Sequence, residues 1–452
     1  MKPQPDSTLI AEEPPAAASV ERGLEDPRAN RGQLSLRKLW LQVHRWIGLT
    51  AGLLFVLIGL TGTLLVFDHA IDEWLNPRLL LTSESGTPRS LEQILAAAER
   101  GYDGPAQQPL SVTAPRVANG VWTVWFSCGT PDNPKFAAVH VDPYTAQVTG
   151  QRVWGEYLMT WVYRLHYNLM AGSVGGTIVG IAGIVLFCSV CSGIYLWWPL
   201  FRHSWRAGFA IRGGRRFNYD LHKSVGIVSA AILLVVAFTG VYMEFPTWFK
   251  PVVALFSPTT ESPLDLKSAP AAKRVPLTPD EAVAIATRHF PHAVFDHLHP
   301  PAGADGTYEV AFRQAHEVQR SYGRTQVFLD QYTGQVVAIN NPDDFTAGDI
   351  FLAWQYPLHN GEAFGLVGRW IVFFSGLTPA LLYGTGFLLW WRRGLARREA
   401  RTQTAQAETR QPQQSAAAAQ AATSRITRPR SRRSGESRAW RSDLEAKSSI
   451  VS

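Results

Sequence analysis

The sequence predicts an α-helical membrane protein: a four-helix transmembrane bundle made from a duplicated helix–outer domain–helix unit, with two small α+β extracytoplasmic domains. Three observations carry this expectation. Four windows, about 46–67, 170–198, 224–245 and 364–391, are nearly free of charge, and each is long enough to cross a bilayer, which takes about 20 apolar residues. Lys and Arg gather beside alternate ends of these windows. The second half of the chain repeats the first, helix by helix.

In chain order, residues 1–34 are polar and rich in Pro, Ala and Glu, and read as a disordered cytoplasmic tail. The first span with its flanks takes 35–75, the first outer domain 76–155 and the second span 156–199. A cytoplasmic loop follows at 200–217, then the third span at 218–248, the second outer domain at 249–355 and the fourth span at 356–393. Residues 394–452 read as a disordered basic cytoplasmic tail. Arg31, Arg37, Lys38 and Arg45 precede the first hydrophobic window; Arg202, Arg206, Arg212, Arg215 and Arg216 fill the loop, which has no acidic residue. Arg392, Arg393, Arg397 and Arg398 follow the fourth window. These three regions share one side if all four windows cross, and the positive-inside rule makes that side the cytoplasm. Both termini are then cytoplasmic, the outer domains are periplasmic in a Gram-negative cell, and the expected location is the bacterial inner membrane. The net charge of +7 is explained by topology and by an Arg-rich stretch at 424–441 suited to lipid contact, so the bilayer is the expected partner and nucleic acid is not.

The repeat is visible in the spans themselves. "LWLQVHRWIGLTAGLLFVLIGLTGTLLVF" and "FNYDLHKSVGIVSAAILLVVAFTGVYMEF" share a His, a following base, a Gly four residues on and a distal Thr-Gly. "YRLHYNLMAGSVGGTIVGIAG", ending "GIYLWW", matches "YPLHNGEAFGLVGRWIVFFSG", ending "GFLLWW". The outer segments hold twins as well, "AAVHVDPYTAQVTG" and "QVFLDQYTGQVVA". Residues 90–102 and 278–290 have helical periodicity behind a Ser or Thr N-cap, whereas 121–128 and 307–314 alternate like strands. Of three cysteines, Cys188 and Cys191 form a C-x-x-C inside an apolar helix, where small packing residues are expected rather than a metal or redox pair.

Four histidines follow the same duplication. His44 and His222 sit at the cytoplasmic ends of the first and third spans, and His166 and His359 at the outer ends of the second and fourth. A pseudo-twofold axis along the membrane normal would set the members of each pair face to face. Facing neutral imidazoles from different helices are what a six-coordinate haem b requires, and iron ligation offsets the cost of a polar ring at membrane depth. The expected cofactors are therefore two haem b, with His44 and His222 on one haem iron and His166 and His359 on the other, about 20 Å apart across a hydrocarbon core of about 30 Å. Gly48, Gly52, Gly226, Gly172, Gly175, Gly176, Gly361 and Gly365 are candidates to let a flat macrocycle approach the backbone. Arg45, Lys223, Arg164 and Arg369 are candidates to meet haem propionates. His69 is the rival ligand at the outer level, although the matching stretch at 245–246 has no histidine. His289, His292, His297 and His299 make a dense patch for which surface histidines are the default and metal contact the alternative. Phe55, Phe187, Phe238 and Phe373 are candidates to fill the gap between levels, and Trp161, Trp354 and Tyr356 to line an outer mouth.

Together "VHRWIGLTAGLLFVLIGLTGTLLVF", "LHYNLMAGSVGGTIVGIAGI…GIYLWWP", "DLHKSVGI…FTG" and "LHNGEAFGLVGRW…GTGFLLWWRR" resemble the PepSY-associated transmembrane family, over about 36–394. "VDPYTAQVTG" and "LDQYTGQVV" resemble the PepSY module itself, so the outer domains are expected to be PepSY-like. The resemblance implies a di-haem, iron-regulated inner-membrane oxidoreductase of the ferric-siderophore reductase kind, with His44, His166, His222 and His359 on the family's histidine positions. A ferric siderophore is then the expected substrate. No nucleotide or flavin motif is present, so the electron donor is expected to be separate, quinol or a cytoplasmic reductase. The competing reading is a non-redox PepSY membrane protein that binds peptides or regulates an extracytoplasmic peptidase. A siderophore or metal permease is disfavoured by having only four helices.

Overall fold

The computed structural model describes residues 36–105, 108–130, 134–260, 266–269 and 275–426. The expected tail 1–34 and the part of the C-terminal tail from 427 onward lie outside the described residues. Two compact units meet at Phe387/Leu388 in the sequence; the described part of the second is helix throughout.

The first predicted span is broken rather than straight. Helices α1 (Leu36–Thr50) and α2 (Gly52–Leu65) meet at a 59° bend around Ala51. The ladder runs through it, Ala51 N–H donating to Ile47 (2.9 Å) and Phe55 N–H to Ala51 (3.0 Å). The Thr50 hydroxyl bonds back to the Trp46 carbonyl at 2.8 Å, a contact that bends helices, and the Tyr383 ring occupies the space a Cβ at Gly52 would need. Short helices α3 (Asp68–Leu75) and α4 (Pro77–Leu80) lead away from it.

Then come α5 (Leu91–Gly101) and strands β1 (Ser111–Thr113), β2 (Trp122–Ser127), β3 (Phe136–Val141) and β4 (Val148–Val153). The chain returns through α6 (Leu158–Asn168) and the long α7 (Gly172–His203), turns at α8 (Trp205–Phe209) and leaves again along α9 (Phe217–Glu244). The second half repeats the plan with α10 (Pro246–Ala254), α11 (Pro279–Thr287), β5 (Val294–His299), β6 (Thr307–Arg313), β7 (Thr325–Asp330) and β8 (Val336–Asn340). It closes with α12 (Ala347–Ala353), α13 (Gln355–Asn360) and α14 (Gly365–Ile426). Three helical segments, containing α7, α9 and α14, are long and apolar enough to cross a membrane, and the bent α1–α2 pair makes up to four. Small residues bring these helices together: Gly176, Gly180 and Gly183 of α7 lie against Glu244, Phe245 and Val241, and Gly59 of α2 lies against Gly376 of α14. The tail expected to be disordered from 394 instead continues α14 to Ile426, through a stretch rich in Ala, Gln and Arg, all good helix formers.

The outer segments form both expected α+β halves, but not two separate domains. Their strands make one eight-stranded antiparallel sheet in the order β4-β3-β2-β1-β5-β6-β7-β8. The seam is β1 against β5, with Val112 opposite Leu298 and Thr113 opposite His297. Each half alone would leave this edge unpaired and would enclose little core; joining removes the open edge and gives a common core of Ile94, Val112, Phe126, Ala282, Leu298 and Phe312. The halves are also stitched helix to helix. The Asp280 carboxylate of α11 accepts the Leu91 and Glu92 amides at the start of α5, both at 2.8 Å. Ser90 and Thr278 are the expected N-caps, accepting from Gln93 and Glu281. A salt bridge from half-buried Arg152 of β4 to buried Asp72 of α3 (2.6 Å) ties the sheet to that helix.

Candidate functional site

Each of the four repeated histidines is brought against its partner. The His44 and His222 ring centroids are 6.3 Å apart, and those of His166 and His359 are 6.1 Å apart. His44 is carried by α1 and His222 by α9. His166 lies in the last turn of α6, which Leu169 and Met170 end in left-handed conformations. His359 lies in the last turn of α13, ended by Gly361 at φ 83°, a conformation costly for any residue with a Cβ.

All four rings are held alike. His44 Nδ1 meets the Ser192 hydroxyl at 2.9 Å and the Ser189 carbonyl at 3.2 Å. His222 Nδ1 meets the Thr385 hydroxyl at 2.8 Å. His166 Nδ1 meets the Thr61 hydroxyl at 3.1 Å and the Ile58 carbonyl at 3.0 Å; His359 Nδ1 meets the Thr239 hydroxyl at 3.0 Å and the Val236 carbonyl at 3.1 Å. Donation from Nδ1–H to a carbonyl fixes the tautomer and leaves the Nε2 lone pair as the ligand atom. The residue after each hydroxyl is glycine, and a Cβ there would meet the ring's Cε1: at 3.3 Å for Gly193 and His44, 3.4 Å for Gly386 and His222, 2.8 Å for Gly62 and His166, and 3.2 Å for Gly240 and His359. Four Ser/Thr-Gly pairs thus seat four imidazoles.

The distal Thr-Gly is visible in the repeat, but the repeat alone gives these hydroxyls no role, although their spacing carries a signal for it. The Thr-Gly lies seventeen residues after the inner histidine in both halves (44 to 61, 222 to 239), and the Ser/Thr-Gly lies twenty-six after the outer one (166 to 192, 359 to 385). Each hydroxyl serves the histidine of the other helix in its own half, so no local window contains both partners.

The geometry fits a shared metal. A metal–imidazole nitrogen bond is about 2 Å and the ring centroid lies about 1.1 Å behind the nitrogen, so two imidazoles on opposite sides of one metal have centroids about 6.2 Å apart. Both observed pairs fall within 0.1 Å of that separation. A pair of imidazole nitrogens would suit a tetrapyrrole iron, which brings four nitrogen ligands of its own, better than a zinc that takes all four from the protein.

The remaining candidates are less uniform. The Arg45 guanidinium bonds to Gln42 and lies over the Trp46 ring, with Nε buried and unpartnered. Lys223 is buried and its ammonium is taken by the Ala207 (2.7 Å) and Ala210 (3.1 Å) carbonyls and by Asp220 (3.3 Å), which makes it a clamp on the α8 loop. Arg369 bonds to the Val66 carbonyl and lies over Phe67, and the Arg164 side chain packs against Gly155. His69 Nε2 is engaged by Arg116 at 2.9 Å and is not part of either pair. None of the eight glycines first singled out faces a repeated histidine: Gly52 admits Tyr383, Gly176 admits Glu244, Gly361 meets Gly368, and Gly48, Gly172 and Gly365 face open space. Phe238 packs edge-on against Phe249 and Phe351, and Phe373 packs at steep angles against Phe67 and Trp370, whereas Phe55 is buried. Trp161 is exposed.

A membrane protein carrying two facing imidazole pairs below a doubled antiparallel sheet is the class that fold and site define. Residues 41–393 match the model of the PepSY-associated TM region, and the chain belongs to that family. No curated protein matches it.

Proposed function

We propose that the protein is a di-haem reductase of the bacterial inner membrane that passes electrons across the bilayer to ferric-siderophore iron in the periplasm, in support of iron acquisition. In this reading the bent α1–α2 pair is the first of four spans, both termini are cytoplasmic and the sheet lies outside. The observation that carries it is the equal treatment of two imidazole pairs, each at the separation of two ligands on one metal, with Nδ1 tied back and a glycine against each ring.

His44 and His222 would hold the inner haem b, and His166 and His359 the outer one. Bound there, haem supplies one-electron chemistry at two depths. The chain's own tasks are to orient the ligands and to space the two levels. Ser192, Thr385, Thr61 and Thr239 hold the rings, and the backbone carbonyls behind Nδ1 raise imidazole basicity. Along α9, His222 and Thr239 are seventeen residues apart, so the levels are separated by about 26 Å at 1.5 Å per residue, a longer step than the 20 Å expected from membrane thickness. Arg45 and Arg369 remain candidates for propionate contact, Arg164 is a weaker one, and Lys223 is better explained as a loop clamp. A separate donor, quinol or a cytoplasmic reductase, would serve the inner level. Siderophores hold Fe(III), a hard cation, through oxygen donors, so transfer of one electron to that iron weakens the complex. The peptide-binding alternative accounts for the sheet and leaves the paired imidazoles and their hydroxyls without a task.

The test is a dithionite-reduced minus oxidised spectrum of the detergent-purified protein, with haem measured as the pyridine haemochrome. Two haem b per chain are expected, falling to about one in His44→Ala or His222→Ala and likewise in His166→Ala or His359→Ala. A colourless protein from haem-replete cells would reject the reading and leave peptide binding in its place.

A further inference from the structure

The histidine-rich stretch in the second half of the sheet divides in two. His289 and His292 are exposed, as surface histidines should be. His297 is not: its side chain is 3% exposed, and its Nε2 is buried without a hydrogen-bond partner. His297 and His299 are two apart on β5 and so share a face of the sheet, and Glu309 of β6 is directly opposite His299. One ligand atom from each of the three lies within 4.8 Å of the others. The Leu298 side chain points the other way, into the common core.

The neighbours of this trio do what neighbours of metal ligands do. His297 Nδ1 donates to the Asp296 carboxylate at 2.9 Å. Consecutive strand residues normally face opposite ways; a register shift between Phe295 and His297 is what lets Asp296 reach the ring. Asp296 is itself fixed by the Gly323 amide at 3.0 Å. His299 Nδ1 donates to the Leu110 carbonyl of the first half at 3.1 Å, across the seam. Gln326 donates to Glu309. The Tyr322 ring packs against that of His297, with centroids 4.3 Å apart. Both imidazoles are thus tied at Nδ1 and free at Nε2, and a carboxylate oxygen completes a set of two nitrogens and one oxygen.

We propose that His297, His299 and Glu309 bind a divalent first-row transition-metal cation, with Asp296, Gln326 and the Leu110 carbonyl as the groups that orient the ligands. Two imidazoles and a carboxylate are a donor set for borderline cations such as Zn(II) or Fe(II) rather than for Mg(II) or Ca(II), which take oxygen ligands. This proposal does not depend on the haem assignment. The loop that carries Tyr322 is tied to the segment after α13, where Ser321 bonds at 3.0 Å to Glu362, three residues from His359 in the sequence.

The test uses the full chain in detergent, purified without a polyhistidine tag and stripped with chelator, titrated calorimetrically with Zn(II), with metal per chain then counted by elemental analysis and haem counted in the same samples. One Zn(II) per chain is expected, weakened about tenfold or more in Glu309→Gln and in His299→Ala, and unchanged in the His289→Ala/His292→Ala double variant. Because His297 is buried, the two less buried ligands carry the test, and circular dichroism establishes that each variant is folded. No Zn(II) uptake by the wild type, or the same affinity in folded Glu309→Gln and His299→Ala, would overturn the proposal, whatever the haem content proves to be.

Discussion

The Thr239 hydroxyl lies 3.0 Å from His359 Nδ1, and it joins α9 to the imidazole in the last turn of α13. The Val236 carbonyl stands 3.1 Å from the same nitrogen. Replacing Thr239 by Val keeps the shape and the carbonyl and removes the hydroxyl alone. If the pair holds haem, Thr239→Val should weaken retention at the outer level by about tenfold and leave the His44–His222 level filled. Haem counted before and after extended dialysis reads this. Equal loss from both levels would show a general unfolding instead.

The glycines beside the rings set a graded series. A methyl at Gly62 would come within 2.8 Å of His166, against 3.2 Å at Gly240, 3.3 Å at Gly193 and 3.4 Å at Gly386. Alanine at Gly62 must therefore displace the ring, while alanine at Gly386 needs little adjustment. Haem content should fall most in Gly62→Ala and least in Gly386→Ala. A flat response across the four would mean that the glycines serve helix packing only.

Much of this was open to sequence reading, and what was not has a physical reason. The long apolar helices and the pairing of His44 with His222 and of His166 with His359 follow from a repeat that hydropathy makes visible. The bend at Ala51 depends on Tyr383, over three hundred residues away, and on a Thr50 back-bond that no periodicity reports. The merged sheet depends on β1, three residues long and without a clear alternating pattern. His297 stood in a polar-looking cluster, and its burial against Tyr322 and beside β1 depends on residues outside that stretch.

His140 gives the sheet a pH dependence. It is buried on β3 beside the Thr123 hydroxyl, and burial, with Arg152 nearby, pushes its pKa down to about 4. Between that value and the ordinary 6.5, an unfolded chain binds a proton here that the folded chain does not. Stability from this residue is therefore complete above pH 6.5 and declines as the pH falls toward 4, by on the order of 3 kcal/mol. Phe328 holds the corresponding place in the second half, so His140→Phe is the natural control. Thermal unfolding in detergent from pH 7 to pH 4 should show a shallower decline for the variant; parallel curves would refute the assignment.

The twin turns offer an internal comparison. Asp142 accepts the Tyr144 and Thr145 amides just as Asp330 accepts those of Tyr332 and Thr333. At the left-handed position of each turn stand Ala146 (φ 54°) and Gly334 (φ 70°). Ala146→Gly should stabilise by about 0.5–1 kcal/mol, and Gly334→Ala should cost about 1–2 kcal/mol, before counting Ile285, which lies 2.7 Å from the new methyl. Melting temperatures that move in opposite directions would bear this out, and a gain from Gly334→Ala would contradict it.

The seam between Val112 and Leu298 also sets an order of events during synthesis. When the ribosome has finished the first half, β1 has one neighbour and one bare edge, and its second partner has not been made. Helices α6 to α9 must all be made before β5 emerges to close it. During that interval the exposed edge can recruit any passing strand, including β5 of another copy, and the same ladder would then join two chains instead of one. Slow translation between residues 113 and 294 would lengthen the interval and favour such exchanged dimers.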